Sequence, residues 1–177
     1  MFESEPIQCD HVPIEKRVEV LKGYILPDIE SSTNGAVSIA RLLSASKTLD
    51  IGCGSGAYVR ALTELGASGK FIGVDFTKYY TENAYEQYDQ LVIGDIRQEE
   101  VLKQLYEHEF DTIISIGVPP KIVKFIYDNR HRLKMTTEGL LVVVTDSPIQ
   151  EKDYPDFQVF PGRMGIDKNI LIPRKKI

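Results

Sequence analysis

The sequence predicts an α/β fold: a doubly wound, mostly parallel sheet of seven strands, with helices on both faces and a C-terminal antiparallel hairpin. Three observations predict it. Five short apolar segments are each followed by a stretch with helical periodicity, which is typical of consecutive β-α units. These segments are apolar throughout, as expected of parallel strands that are covered on both faces. Two later strand-like runs are separated only by a turn rich in glycine and proline, so they are expected to pair antiparallel.

Two helices are predicted before the first strand, at residues 13–24 and near residues 32–43. The first has apolar side chains at helical spacing, and Pro27 is expected to end it. The second begins at a Ser-Thr-Asn run that offers N-cap side chains. We expect residues 1–46 to form a helical extension packed on a core of residues 47–177, with one domain overall.

The remaining elements follow from changes in periodicity and from their boundary residues. Gly66 closes one helix, and Pro119 opens another in its first turn. The first five strands each end at glycine or aspartate, which interrupts the apolar run. The strands are expected at residues 47–51, 71–74, 90–93, 111–116, 139–145, 157–160 and 169–172, and the helices at 58–65, 77–87, 97–109 and 119–133.

Charge is distributed unevenly along the 177 residues. The net charge is −5, divided into −9 over residues 1–112 and +4 over residues 113–177. The later basic residues indicate either a solvated charged helix face or phosphate contacts to an RNA partner, and the first reading is favoured because the chain as a whole is not basic. The basic residues concerned are Lys121, Lys124, Arg130, Arg132 and Lys134.

Other features of the composition limit where the protein is expected to be located and which kinds of site it can contain. No apolar run approaches the roughly 20 residues that cross a bilayer, so no membrane partner is expected. The acidic N-terminus does not resemble a signal peptide, and two cysteines, Cys9 and Cys53, are too few for a disulfide framework. A cytoplasmic location is therefore predicted. No His, Cys and carboxylate cluster has metal-ligand spacing, so no metal is predicted.

The most informative segment is the glycine loop Leu49-Asp50-Ile51-Gly52-Cys53-Gly54-Ser55-Gly56. Glycines at a strand-to-helix turn allow a sharp turn and a close approach of a ligand to the backbone. The relaxed dinucleotide pattern is also satisfied, so the loop alone leaves the ligand open. Asp50 favours a cationic ammonium group, because it would repel a pyrophosphate.

Two more carboxylates follow the next two strands. Asp75 ends the second strand, where a carboxylate can accept both hydroxyls of a ribose. Asp95 follows the third strand, where it can accept from an adenine amino group. Because parallel strands end at one edge of a sheet, the three carboxylates are expected to line one crevice. A ligand with an ammonium, a ribose and an adenine but no pyrophosphate is S-adenosylmethionine.

Residues 47–172 resemble the class I S-adenosylmethionine-dependent methyltransferases, which have a Rossmann-like fold. The resemblance rests on the glycine loop, on Phe71–Phe76, on Gly94-Asp95-Ile96 and on the closing pair of strands. It implies S-adenosylmethionine as cofactor, with Asp50 and the loop backbone at the methionine moiety, Asp75 at the ribose, and Asp95 with Ile96 at the adenine. The implied cofactor-binding residues are Asp50, Gly52, Cys53, Gly54, Gly56, Asp75, Phe76, Asp95, Ile96 and Gly117.

The segment after the fourth strand, Ile116-Gly117-Val118-Pro119-Pro120, is similar to a motif of amino-group methyltransferases. It departs from that motif at both working positions, since Val118 replaces the Asp or Asn and Lys121 replaces the aromatic residue. That activity is therefore not carried over. Asp146, after the fifth strand, is the remaining candidate for a general base or a substrate ligand, although it can equally cap a turn.

The resemblance implies a methyltransferase that acts on an unidentified nucleophile in a small molecule, a protein or RNA. Two alternatives stay open: a catalytically inactive cofactor-binding scaffold or regulatory subunit, and an NAD-binding oxidoreductase. The sequence has no large insertion between strands that could cover the site. A homo-oligomer or a partner subunit could therefore supply a lid.

Overall fold

The computed structural model describes residues 13–30, 42–77, 84–144, 149–161 and 168–173. The helices are α1 (Ile14–Glu30), α2 (Ala57–Glu64), α3 (Glu99–Lys103) and α4 (Pro120–Asp128). The strands are β1 (Lys47–Ile51), β2 (Lys70–Asp75), β3 (Gln90–Ile93), β4 (Phe110–Ile116), β5 (Met135–Val144), β6 (Phe157–Pro161) and β7 (Lys168–Pro173).

The strands form one sheet in the order β3-β2-β1-β4-β5-β7-β6. The predicted α/β class with a mostly parallel sheet is confirmed, since β1 to β5 pair in parallel. At the end of the chain, β7 pairs antiparallel with β5 and with β6. The order reverses direction between β1 and β4, and in open α/β sheets ligands bind beside such a point, at the carboxyl ends of the strands.

Helices cover both faces of the sheet. One face buries apolar side chains of α1 and α2, among them Val18 and Leu62, against strand residues such as Phe71 and Val142. The other face buries side chains of α3 and α4 against residues that alternate with these along the same strands. Two-sided burial is why the strands read as continuous apolar runs.

Several predicted boundaries are wrong. The first helix does not end at Pro27 but continues to Glu30, because a proline removes one backbone hydrogen bond and can be tolerated with a local bend. In place of the C-terminal part of the helix predicted over 77–87, Tyr85–Gln87 form a single 3₁₀ turn. The helices α3 and α4 are shorter than predicted, because turns follow Lys103 and Asp128.

Strand β5 begins earlier than expected, at Met135, and a register irregularity in its pairing with β4 accompanies the extra residues. Within the described ranges, no helix is long and apolar enough to cross a membrane. The same residues contain no group of three or more His, Cys, Asp or Glu side chains arranged to hold a metal ion.

Candidate functional site

The residues predicted to bind a ligand follow the carboxyl ends of neighbouring strands. The parallel pairing of β1 with β2 and β4, and of β2 with β3, brings these ends to one edge of the sheet. The backbone N–H of Gly94 donates to the carbonyl oxygen of Asp75 at 2.8 Å, which joins the ends of β2 and β3. The Ser115 hydroxyl donates to the carbonyl oxygen of Ile51 at 3.1 Å, which joins β4 to β1.

The glycine loop between β1 and α2 turns through the left-handed backbone region. Gly52 has φ 79° and Gly54 has φ 51°, a region that other residues adopt only at a cost. The two positions differ in their surroundings. A Cβ on Gly52 would lie 2.5 Å from Val118 Cγ1, whereas a Cβ on Gly54 would meet none of the described atoms within 4 Å. Gly52 is therefore crowded by Val118, and Gly54 has space among the described residues in which a ligand can approach the backbone.

The loop N–H groups are hydrogen-bonded within the protein. Gly52 and Cys53 both donate to the Val74 carbonyl oxygen, at 2.8 and 3.2 Å, and Gly56 donates to the Cys53 carbonyl oxygen at 2.9 Å. These N–H groups stabilise the loop against β2. The N–H groups of Gly52 and Cys53 are therefore already hydrogen-bonded within the protein, and the ligand contact predicted for their backbone stays a prediction.

Asp75 connects the end of β2 to the glycine loop. Its Oδ2 accepts from the Gly54 N–H at 3.0 Å, and its Oδ1 accepts from the Thr77 N–H at 2.8 Å. The residue is 8% exposed. A carboxylate offers about four lone-pair positions, so two hydrogen bonds leave it able to accept from two hydroxyl groups.

Asp50 is more deeply buried than a ligand-facing residue is expected to be, with 2% of its surface exposed. Its Oδ2 accepts from the Tyr88 hydroxyl at 2.6 Å. Burial raises the pKa of Asp50 to about 7; the Tyr88 hydrogen bond lowers it and the neighbouring Asp75 raises it. Burial and Asp50 likewise raise the pKa of Tyr88. Sequence reasoning did not identify Tyr88, because its position among the other tyrosines of this segment gives no sign of its partner.

The cluster formed by Asp50, Cys53, Asp75 and Tyr88 contains two carboxyl groups and no positively charged side chain among the described residues. In the part of the chain that the structure describes, the charge that acts on Asp50 is that of Asp75, with no lysine or arginine opposing it. The Cys53 thiol is buried, and burial together with the two carboxylates raises its pKa. This electrostatic environment favours a cationic ligand and disfavours a pyrophosphate.

Asp95 differs from the other two carboxylates because it is paired with Arg97. The Arg97 Nε lies 2.9 and 3.1 Å from the two oxygens of Asp95, and this ion pair lowers the pKa of Asp95. An adenine amino group would have to share these oxygens or displace Arg97. Displacing Arg97 would cost little, because exposed ion pairs are weak. Ile96 is 4% exposed and belongs to the core, so only its backbone could meet an adenine.

Two apolar side chains remain exposed near this edge. Phe76, which follows Asp75, is 74% exposed, and Ile93, which ends β3 and pairs with Asp75, is 39% exposed. Sequence reasoning included Phe76 but missed Ile93, whose position before Gly94-Asp95 was the available signal. Exposed apolar groups beside an acidic cluster suit a planar apolar ring such as a purine.

The predicted residues after the later strands are only partly described. Gly117 follows β4 with φ 68°, and it is exposed, with none of the described atoms within 4 Å of an added Cβ. Gly56, at the start of α2, is buried against Gln87 and Tyr88. Asp146, the candidate catalytic residue, lies outside the described residues.

Residues 42–143, more than half of the chain, match the family model described as "Methyltransferase domain". Comparison with curated proteins gives no significant match. Similar solved structures include a SAM-dependent methyltransferase from Archaeoglobus fulgidus, with 21% identity, TM-score 0.53 and coverage of 74% of this chain and 54% of that one. An O-methyltransferase family protein from Burkholderia thailandensis has 9% identity, TM-score 0.61 and coverage of 92% and 58%.

The O-methyltransferase TomG from Streptomyces achromogenes, solved in complex with SAM, has 17% identity, TM-score 0.54 and coverage of 92% of this chain and 89% of that one. The chain thus spans a little over half the length of the first two structures, and at these identities the likenesses describe the fold. The family model, by contrast, matches the sequence itself across the glycine loop and all five parallel strands. The resemblance drawn from the sequence motifs is confirmed, and the chain belongs to the S-adenosylmethionine-dependent methyltransferases of class I.

Proposed function

We propose that this chain binds S-adenosylmethionine at the glycine loop between β1 and α2 and transfers its methyl group to a nucleophile. The observation that carries the proposal is the buried pair Asp50 and Asp75, whose negative charge has no cationic partner within the described part of the cluster. A ligand with an ammonium and a sulfonium complements this charge. The pyrophosphate of a dinucleotide would be repelled by it, so the oxidoreductase alternative is disfavoured.

The residues at this edge suit the remaining parts of the cofactor. Asp75 keeps acceptor capacity for the two ribose hydroxyls after its hydrogen bonds to Gly54 and Thr77. The open space at Gly54 allows the ligand to lie against the backbone. Phe76 and Ile93 are exposed and can cover the faces of the adenine.

The bound cofactor supplies an electrophilic methyl group on a positively charged sulfur. The protein then has to hold the acceptor atom in line at about 3 Å from that carbon and keep water away. Gly117, at the end of β4, leaves room for an acceptor because none of the described atoms lies within 4 Å of an added Cβ. A general base is needed only if the acceptor keeps its proton near neutral pH, and Asp146 stays the predicted candidate for that role.

Isothermal titration calorimetry with S-adenosylmethionine, S-adenosylhomocysteine and NAD tests the cofactor assignment. We expect binding of the first two and none of NAD. Asp75→Asn should weaken S-adenosylmethionine binding by about tenfold or more, since one charged acceptor of hydrogen bonds is lost. Asp111→Asn is the matched control, because Asp111 also accepts backbone N–H groups, those of Ser46 and Lys47 at 3.0 Å, but at the opposite edge of the sheet. Binding of NAD alone would contradict the proposal.

Methyl transfer is tested separately by offering the protein and methyl-labelled S-adenosylmethionine to fractions of small molecules, proteins and RNA from cells. Label in one fraction identifies the acceptor class. Cofactor binding with no label in any fraction, with or without added cell proteins, would favour the non-catalytic scaffold. The cytoplasmic location and a lid from a second subunit stay predictions that this experiment does not require.

A further inference from the structure

The ring of Tyr88 occupies a space that two glycines leave open. A Cβ on Gly56, in the loop before α2, would lie 3.2 Å from Tyr88 Cε2, and a Cβ on Gly73, in β2, would lie 3.1 Å from Tyr88 Cδ1. Tyr88 is 8% exposed. Ordinary side chains at either glycine would crowd the ring, so the packing of two separate elements is fitted to this tyrosine.

Neighbouring backbone bonds fix the segment that carries Tyr88. Asp89 accepts the Phe71 N–H through Oδ2 at 2.8 Å and donates its own N–H to the Phe71 carbonyl oxygen at 2.9 Å. Gln87 donates to the Ala84 carbonyl oxygen at 2.9 Å, which closes the preceding 3₁₀ turn. The Tyr88 hydroxyl is thereby directed to Asp50, in the strand that leads into the glycine loop.

We propose, on the basis of the cofactor site above, that Tyr88 is a positioning residue: its hydroxyl holds the buried Asp50 carboxyl beneath the glycine loop as a counter-ion for the cationic cofactor, and cofactor binding drives a proton from Asp50 into solvent. In the free protein the Asp50 carboxyl keeps its proton below neutral pH. When the cation binds, the O–H bond of the carboxyl breaks and the proton leaves to buffer. Tyr88 stays neutral and donates to the resulting carboxylate, and such a charge-assisted hydrogen bond is stronger than a neutral one.

The surroundings of Asp50 support this coupling. Among the described residues, the titratable groups that act on the cluster are Tyr88 from the segment before β3, Asp75 from β2 and Cys53 from the glycine loop, and these three are neutral or negative. Burial raises the pKa of Asp50 to about 7, so its proton is retained at mildly acidic pH. A cation brought into this environment favours the ionised carboxyl.

The test is titration calorimetry of S-adenosylmethionine at about pH 6 in two buffers of different ionisation enthalpy, which gives the number of protons released on binding. The wild-type protein should release nearly one proton per cofactor, and Asp50→Asn should release none. The difference between the two proteins is independent of the amine of the cofactor, which contributes equally to both. Tyr88→Phe keeps the ring but removes the hydroxyl. It should weaken binding by about tenfold and extend proton release to higher pH, because the hydrogen bond that lowers the pKa of Asp50 is lost.

Tyr127→Phe is the matched control. Tyr127 is a buried tyrosine on α4, on the opposite face of the sheet, and its hydroxyl also contacts a carboxylate, that of Asp156 at 3.3 Å. Equal proton release by the wild-type protein and Asp50→Asn, or unchanged affinity and unchanged proton release in Tyr88→Phe, would overturn the inference while the proposed function stands. No binding of S-adenosylmethionine by the wild-type protein would overturn both. If Tyr88→Phe does not fold, the comparison of wild type with Asp50→Asn still tests proton release from Asp50, and the inference falls if the two release the same number of protons.

Discussion

At the scale of single residues, the carboxyl group of Asp50 links the site to the stability of the fold. It lies inside β1 with 2% of its surface exposed and shares a hydrogen bond with Tyr88. Burial raises its pKa from 3.8 to about 7. Between these two values the unfolded chain has lost the proton that the folded chain still holds, so folding becomes less favourable as pH rises through this window.

Asp50→Asn should remove this pH dependence. Relative to the variant, the wild-type protein should lose up to about 4 kcal/mol of unfolding free energy between about pH 4 and about pH 8, with no further loss above. Urea denaturation of both proteins at a series of pH values measures the difference, and the other carboxyl groups cancel in the comparison. Parallel pH profiles for the two proteins would mean that Asp50 is ionised in the fold throughout this range.

The residue scale also shows which parts of the site are readable from sequence. Asp50, Asp75 and Asp95 are identifiable because strand-terminal carboxylates next to glycines form a local pattern. The partner of Asp50 is not identifiable, since Tyr88 reaches it from 38 residues away, whereas Arg97 lies only two residues after Asp95. The pairing of Tyr88 with Asp50 depends on tertiary packing, which leaves no local signal.

At the scale of elements, α1 is held on α2 by apolar packing together with ion pairs. Val18 of α1 is 1% exposed and packs in the same cluster as Val59 and Leu62 of α2. Lys22 of α1 pairs with Glu64 of α2 at 2.9 Å, at the surface. The buried apolar contact is expected to contribute much more to the unfolding free energy than the exposed ion pair does.

Val18→Ala should lower the unfolding free energy by about 2 kcal/mol, because two methyl groups leave a packed interface. Lys22→Ala should change it far less, since solvent and salt screen this pair. Thermal or urea denaturation of both variants at the same pH checks the ranking. A larger loss in Lys22→Ala than in Val18→Ala would show that α1 is held mainly by charge.

The positions of strands and helices were predictable where the chain alternates between continuously apolar segments and stretches with helical periodicity. All five parallel strands were located because burial on both faces makes them continuously apolar. Helix ends were predicted less well, as at Pro27, because a proline removes only one backbone hydrogen bond and can bend a helix without ending it. The early end of α3 at Lys103 likewise has no strong local stop signal.

At the scale of the whole molecule, three of the five basic residues considered for RNA contact are paired with carboxylates of the protein. Lys124 pairs with Asp128, Arg130 with Asp156 and Arg132 with Glu99. Arg130 also lies over the Tyr127 ring, 4.4 Å from its centroid. Phosphate groups of an RNA would have to displace these carboxylates. The charge of Lys121 is directed to Asp95 at the cofactor edge, where it lowers the pKa of that carboxyl group.

We therefore expect this surface not to bind RNA at physiological salt. Fluorescence anisotropy of a labelled single-stranded RNA should give a Kd no tighter than about 10⁻⁴ M near 0.15 M salt, the weak end of non-specific binding. Arg130→Ala and Arg132→Ala should leave that value unchanged, because a phosphate would have to compete with the carboxylate that already pairs with each guanidinium. Tight binding that falls steeply with salt and is lost in both variants would contradict this expectation. It would mean that the carboxylates yield to phosphate, and RNA would then be the first acceptor to test in the methyl-transfer assay.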